Sequence, residues 1–154
     1  MVPELHKLTD AQTELVIKAP FLVCILIAGA DGKIDKKEIK EAINIAQNKH
    51  KKAVLMQAFF KELATDFEDK LKILIQSYPY ESTQRNPLIV AELAELNQCF
   101  SLLPPAFATE YYALLKDIAQ GIAASSGGGL MGLGESIAPE EAKYMHLPMI
   151  KNPG

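Results

Sequence analysis

The chain has little of what a sheet protein, a disulfide-stapled miniprotein or a familiar metalloenzyme is built from. Valine and threonine number 5 each, against 19 each of alanine and leucine. Unbranched side chains lose less rotamer freedom in a helix, so this bias favours helix over sheet. No run alternates apolar and polar residues cleanly enough to argue for a strand. Cysteine occurs twice, as Cys24 and Cys99, both in apolar stretches. Nothing demands a disulfide, and free buried thiols without a secretion signal fit a reducing cytosol. The opening Met1-Val2-Pro3-Glu4 lacks the positive start and apolar run of a signal peptide. The longest uncharged apolar run, Ala19 to Ala30, spans twelve residues, whereas a membrane span needs about twenty. It reads as a buried core helix, and the expected protein is cytoplasmic with no transmembrane segment.

Familiar catalytic constellations are also missing. The histidines, His6, His50 and His146, are scattered, and the residues three before them are Pro3, Gln47 and Lys143, which excludes the Glu-x-x-His pattern of a bundle di-iron site. There is no Cys-x-x-Cys pair for zinc and no nucleophile elbow. The glycine-rich stretch Gly127 to Gly134 holds five glycines in eight residues, but a phosphate loop ends in Gly-Lys-[Ser/Thr] after a strand, and no lysine lies between Lys116 and Lys143. Tyr111-Tyr112 and Phe59-Phe60 sit at spacings that suit core packing. The reading is therefore non-enzymatic. Charge points away from nucleic acid, since 16 basic against 19 acidic residues leave a net −3. One basic cluster, Lys49-His50-Lys51-Lys52, reads as a solvated helix end, with phosphate or anionic lipid as the other reading.

What remains is a pattern of helices. At 154 residues and 49% hydrophobic, the chain has the size and composition of one globular domain, 1–154. Punctuation and periodicity predict a compact all-α bundle of about seven to eight helices. Thr9 or Asp10 caps a first helix towards Lys18, and Pro20 restarts or kinks the chain ahead of an apolar helix to Ala30. Ile39, Ala42, Ile43 and Ala46 then recur at helical spacing, as do Met56, Phe59, Phe60 and Leu63. Thr65 with Glu68 reads as a capping box for a helix that Pro79 ends. Residues 79–87 read as a polar linker, Pro87 as the start of a helix presenting Ile89, Leu93, Leu96, Phe100 and Leu103, and Pro104-Pro105 as a break. A last long helix turns Phe107, Tyr111, Leu114, Ile118 and Ile122 inward, and Pro139 starts a short one.

The most specific segment is Asp31-Gly32-Lys33-Ile34-Asp35-Lys36-Lys37-Glu38, between two helices. Against a calcium-binding EF-hand loop it matches the second half and fails in the first, where Ile27 and Gly29 offer no side-chain oxygen. Two readings stay open. Asp35 and Glu38 cap the helix while Asp31 stabilises the turn, or the three carboxylates hold a hard cation through oxygen ligands.

The stretch Ile27-Ala28-Gly29-Ala30-Asp31-Gly32-Lys33-Ile34-Asp35 to Glu38-Ile39 resembles the tellurite-resistance TerB-like domain, with its A-D-G-x-[IV]-x-x-x-E pattern after an apolar helix. That family carries a degenerate internal repeat. Ile122-Ala123-Ala124, followed by Gly134-Glu135-Ser136-Ile137-Ala138-Pro139-Glu140-Glu141, resembles its second copy, with a glycine-rich insertion in place of Asp-Gly. The resemblance implies a helical bundle linked to tellurite and stress resistance, with acidic residues of two corners meeting as a divalent-cation site for Ca²⁺ or Mg²⁺. Carried over onto this chain, the metal ligands are Asp31, Asp35, Glu38, Glu140 and Glu141.

Two functions follow as expectations. One is a cation-binding TerB-like protein whose occupied corner modulates docking of a protein partner. The other is a metal-free interaction module using a helical groove and the glycine-rich loop 125–134. In that loop Leu130, Met131 and Leu133 plug a groove of the same chain or swap into a second copy to form a homodimer.

Overall fold

A computed structural model of the chain describes residues 2–29, 36–126 and 144–153. These residues are helical, with no strand among them. The helices are α1 (Asp10–Ala28), α2 (Lys36–Lys49), α3 (Gln57–Ala64), α4 (Phe67–Ser77), α5 (Ser82–Ala94), the short α6 (Leu96–Phe100) and α7 (Pro105–Ser126). Glycine-rich residues 127–134 and the Pro139 helix start lie outside the described residues.

α1 is the axis of the bundle. Every residue from Ala19 to Ala28 is buried, because an apolar side chain on any face of this helix meets a neighbour. By length and composition α1 also qualifies as a membrane span, but 67% of its apolar window is buried among the other helices here. α1 runs unbroken through Pro20, so the expected restart does not occur. Its first turn is closed by a capping box in which Thr9 Oγ1 accepts from Gln12 N–H at 3.1 Å and Gln12 Oε1 accepts from Thr9 N–H at 2.9 Å.

The neighbours are antiparallel pairs. Lys18 meets Glu92 and Gly29 meets Arg85, so α5 descends as α1 rises. His50 meets Glu110 and Asp117, while Ala42 lies against Gly121, so α2 runs against α7. As a result, Lys36, where α2 begins, and Ser126, where α7 ends, lie at one end of the bundle.

Most of the expected faces are inward. Ile39, Ala42, Ile43 and Ala46 are buried, as are Phe107, Tyr111, Leu114, Ile118 and Ile122. Phe59, Phe107 and Tyr111 pack ring to ring at 5.4–6.1 Å. Three local expectations need correction. Thr65 does not open α4: it closes α3, donating from Oγ1 to Lys61 O at 2.9 Å, and Asp66 takes the N-cap position at φ 53°. The linker at 79–87 is mostly helix, since α5 starts at Ser82 and contains Pro87; the carbonyl that Pro87 leaves without a donor, on Thr83, belongs to an exposed residue. The helix drawn through Leu103 is two helices joined at Glu95, whose N–H turns to Glu92 O, yet Ile89, Leu93, Leu96 and Leu103 remain buried.

The C-terminal segment is clipped onto the bundle. Asn97 donates to Met149 O at 3.0 Å and accepts from Lys151 N–H at 2.8 Å, and Lys116 Nζ donates to His146 O at 3.0 Å. Leu147 is held at φ 49° and fully buried.

Candidate functional site

Of the five carboxylates expected to bind a cation, the structure places one. Glu38 lies half-buried in the first turn of α2, where a carboxylate also complements the helix dipole. Asp31, Asp35, Glu140 and Glu141 lie outside the described residues. Among the described residues no group of three or more His, Cys, Asp or Glu side chains is arranged to hold a metal ion. The expected donors are all carboxylates, a set suited to hard cations such as Ca²⁺ or Mg²⁺.

The end of the bundle bordering this turn contains a buried cation that the sequence did not advertise. Arg85 is 3% exposed. Its Nη2 donates to Gly29 O at 2.7 Å and its Nη1 to Tyr80 O at 2.9 Å. Gly29 follows the last residue of α1, so the guanidinium satisfies a carbonyl at the helix terminus and lies at the negative end of its dipole. Close approach requires the glycine: a Cβ at position 29 would collide with Arg85 Nη2 and lie 2.7 Å from Ile25 O. Burial lowers the Arg85 pKa from its ordinary value. Among the described residues, Arg85 Nε and the buried Asn86 Oδ1 have no hydrogen-bond partner.

At the opposite end of α2, His50 is clamped to α7. Nδ1 lies 3.1 Å from Glu110 Oε2 and Nε2 lies 2.8 Å from Asp117 Oδ2, with Lys49 Nζ 3.4 Å from Asp117 Oδ1. Each nitrogen faces a different carboxylate, which makes this a bridge between helices.

Clefts open along the flanks of α1. The first, of about 410 Å³, lies between α1 and α4 and is floored by Ile17, Phe21, Ile73 and Leu74. Its rim holds Asp10, Glu14, Lys18 and Lys70. Both lysines are engaged, Lys18 by Glu92 at 2.8 Å and Lys70 by Glu62 at 3.6 Å. The second, of about 340 Å³, opens between α1 and α5–α6 over Glu14, Glu92 and Glu95. Beside it Tyr78 Oη donates to Glu92 Oε1 at 2.5 Å, and burial, with Glu92 adding to it, pushes the Tyr78 phenol up.

No family model, curated protein or solved structure matches the chain.

Sequence reasoning missed Arg85 because it stands in a polar run with no periodic signal, and its burial beneath the end of α1 is a tertiary contact. It missed the His50 bridge because Glu110 and Asp117 lie 60 and 67 residues away. The one available signal was their mutual spacing of seven, which puts both on one face of a helix.

Proposed function

We propose that this is a non-enzymatic TerB-like protein that takes a divalent cation, Ca²⁺ or Mg²⁺, at the acidic turn between α1 and α2, in tellurite and stress resistance. In this reading its seven to eight helices form two degenerate repeats, and Asp31, Asp35 and Glu38 of one corner act with Glu140 and Glu141 of the other. The supporting observation is the antiparallel run of α2 along α7. The chain leaves Ser126 at the end of the bundle where it enters Lys36, so the segment leading to Glu140 starts from the end that carries the first corner. A cation held by carboxylates on both sides ties α1 to α2 and alters the surface offered to a protein partner. Binding to the folded state alone raises stability by mass action, about 2.7 kcal/mol at a hundredfold excess over Kd, or roughly 5–10 °C in Tm for a chain of this length. The test is thermal unfolding in EDTA, Ca²⁺ and Mg²⁺. The expected result is a metal-dependent rise that Asp31→Asn with Glu38→Gln abolishes, and an unchanged Tm at millimolar metal overturns the reading.

The cleft between α1 and α4 favours a second, metal-free reading as an interaction module. The cleft extends along α1 from Asp10 to Phe21, about three helical turns, with Ile17 and Phe21 as the apolar part of that wall. With both rim lysines engaged, Asp10 and Glu14 set the free charge. The occupant that fits is a short amphipathic helix of a protein partner, with basic residues beside its apolar stripe. A cationic amphipathic peptide that binds in EDTA and is lost with Ile73→Asp supports this reading. A dimer that dissociates on deletion of 127–134 would instead assign the contact to a second copy.

A further inference from the structure

The turn joining α2 to α3 is tightly held, yet it turns apolar side chains outward. Gln57 donates from Nε2 to Lys51 O at 3.0 Å and to Ala53 O at 3.1 Å. Ala53 N–H donates to His50 O at 2.9 Å, and Met56 N–H to Ala53 O at 3.0 Å. The turn is anchored on one side by the His50 bridge to α7 and on the other by the fully buried Met56. Between these anchors Val54 is 83% exposed and Leu55 36% exposed.

The charge around this tip is one-sided. Lys51 and Lys52 are exposed and take part in none of the ion pairs seen among the described residues. The carboxylates at its base, Glu110 and Asp117, are engaged by His50 and Lys49. A chain of net charge −3 thus presents, at this turn, two lysines outside those ion pairs beside exposed aliphatic side chains.

We propose that the Lys51–Leu55 turn is a membrane-docking tip for an anionic lipid bilayer. Lysines at the surface are attracted to acidic headgroups, and small apolar side chains beside them enter the boundary between headgroups and acyl chains. The tip offers no aromatic ring on which a nucleic-acid base could stack. It also lacks the Trp, Tyr or Arg anchors that dominate protein–protein contacts. The rigid turn holds Val54 outward before contact, so docking needs little local ordering.

The chain has no tryptophan, so Val54→Trp places a single indole at the tip. The experiment mixes this variant and the wild type, in EDTA, with vesicles of phosphatidylcholine alone or with about 30% phosphatidylglycerol. Expected are a blue shift of the indole and co-sedimentation of the wild type with acidic vesicles only, both reversed by salt near ~0.5 M. Lys51→Glu with Lys52→Glu, and Val54→Asp with Leu55→Asp, each reduce partitioning about tenfold; circular dichroism checks that each keeps its helix content. The proposal is overturned if the wild type ignores acidic vesicles, binds neutral ones equally, or is matched by both variants. It is equally overturned if Val54→Asp with Leu55→Asp dissolves a dimer while the wild type stays off vesicles, which assigns the tip to a protein contact. EDTA keeps this outcome separate from the cation reading.

Discussion

The hydroxyl of Tyr111 donates to the carbonyl of Val16 at 2.7 Å, and Val16 is four residues before Pro20. That carbonyl is the one Pro20, lacking an N–H, leaves without its helical donor. The bond therefore accounts for how a proline persists in the middle of α1: a side chain from α7 replaces the missing backbone donor. Burial drives the Tyr111 phenol well above its ordinary pKa, so the donor keeps its proton.

Removing that donor should destabilise the fold. Tyr111→Phe leaves a buried acceptor unpaired and should cost about 1–3 kcal/mol in urea unfolding. In a Pro20→Ala background the backbone N–H returns, and the same substitution should cost at least ~1 kcal/mol less. Equal costs in the two backgrounds would show that Tyr111 acts through packing alone.

Gly29 and Arg85 form a second coupled pair. Gly29→Ala brings a Cβ onto Nη2 and displaces the guanidinium from the α1 terminus, with an expected cost of about 2–3 kcal/mol. Arg85→Ala relieves the collision, so the double variant should be more stable than the sum of the two single losses predicts. Strict additivity in thermal melts would refute this coupling.

His50→Ala should cost about 1–2 kcal/mol, because it removes the ring contacts to Glu110 and Asp117 and leaves Lys49 as the remaining tie from α2 to Asp117. His6→Ala, at an exposed residue, serves as the control and should fall within ~0.5 kcal/mol of wild type. Chemical denaturation of the two variants checks the difference.

Stability should decline in alkali. Burial raises the pKa of Cys24, Cys99, Tyr78 and Tyr111 in the folded chain. In the unfolded chain thiols ionise near ~8.5 and phenols near ~10. Above those values the unfolded state has lost protons that the folded state retains, so unfolding becomes more favourable as pH rises. Tm should fall from about pH 8.5 upward, and Cys24→Ala with Cys99→Ala should delay the onset to about pH 10. The check is a Tm series across this range, and parallel curves for the two proteins would contradict it.

The helical class was legible because it rests on local physics. Alanine- and leucine-rich runs with apolar residues every three or four positions bury one stripe, and those of α2 and α7 are buried as read. Boundaries were less legible where tertiary contact overrode local punctuation. Pro20 reads as a break until Tyr111 supplies its missing bond. Residues 82–87 read as linker until Arg85 inserts beneath α1. Of the candidate site only Glu38 is positioned among the described residues, on the helix that periodicity predicted for it.

Composition and periodicity by themselves determined an all-α reading and marked the apolar run from Ala19 to Ala30 as its innermost stretch, since a helix apolar on every side is stable only when surrounded; Ala19 to Ala28 are buried. Only the tertiary structure decided which carbonyl Tyr111 completes, which terminus Arg85 closes and which carboxylates His50 bridges. Those partners lie 95, 56 and at least 60 residues apart, and their pairing follows from how the helices pack rather than from any neighbourhood in the chain.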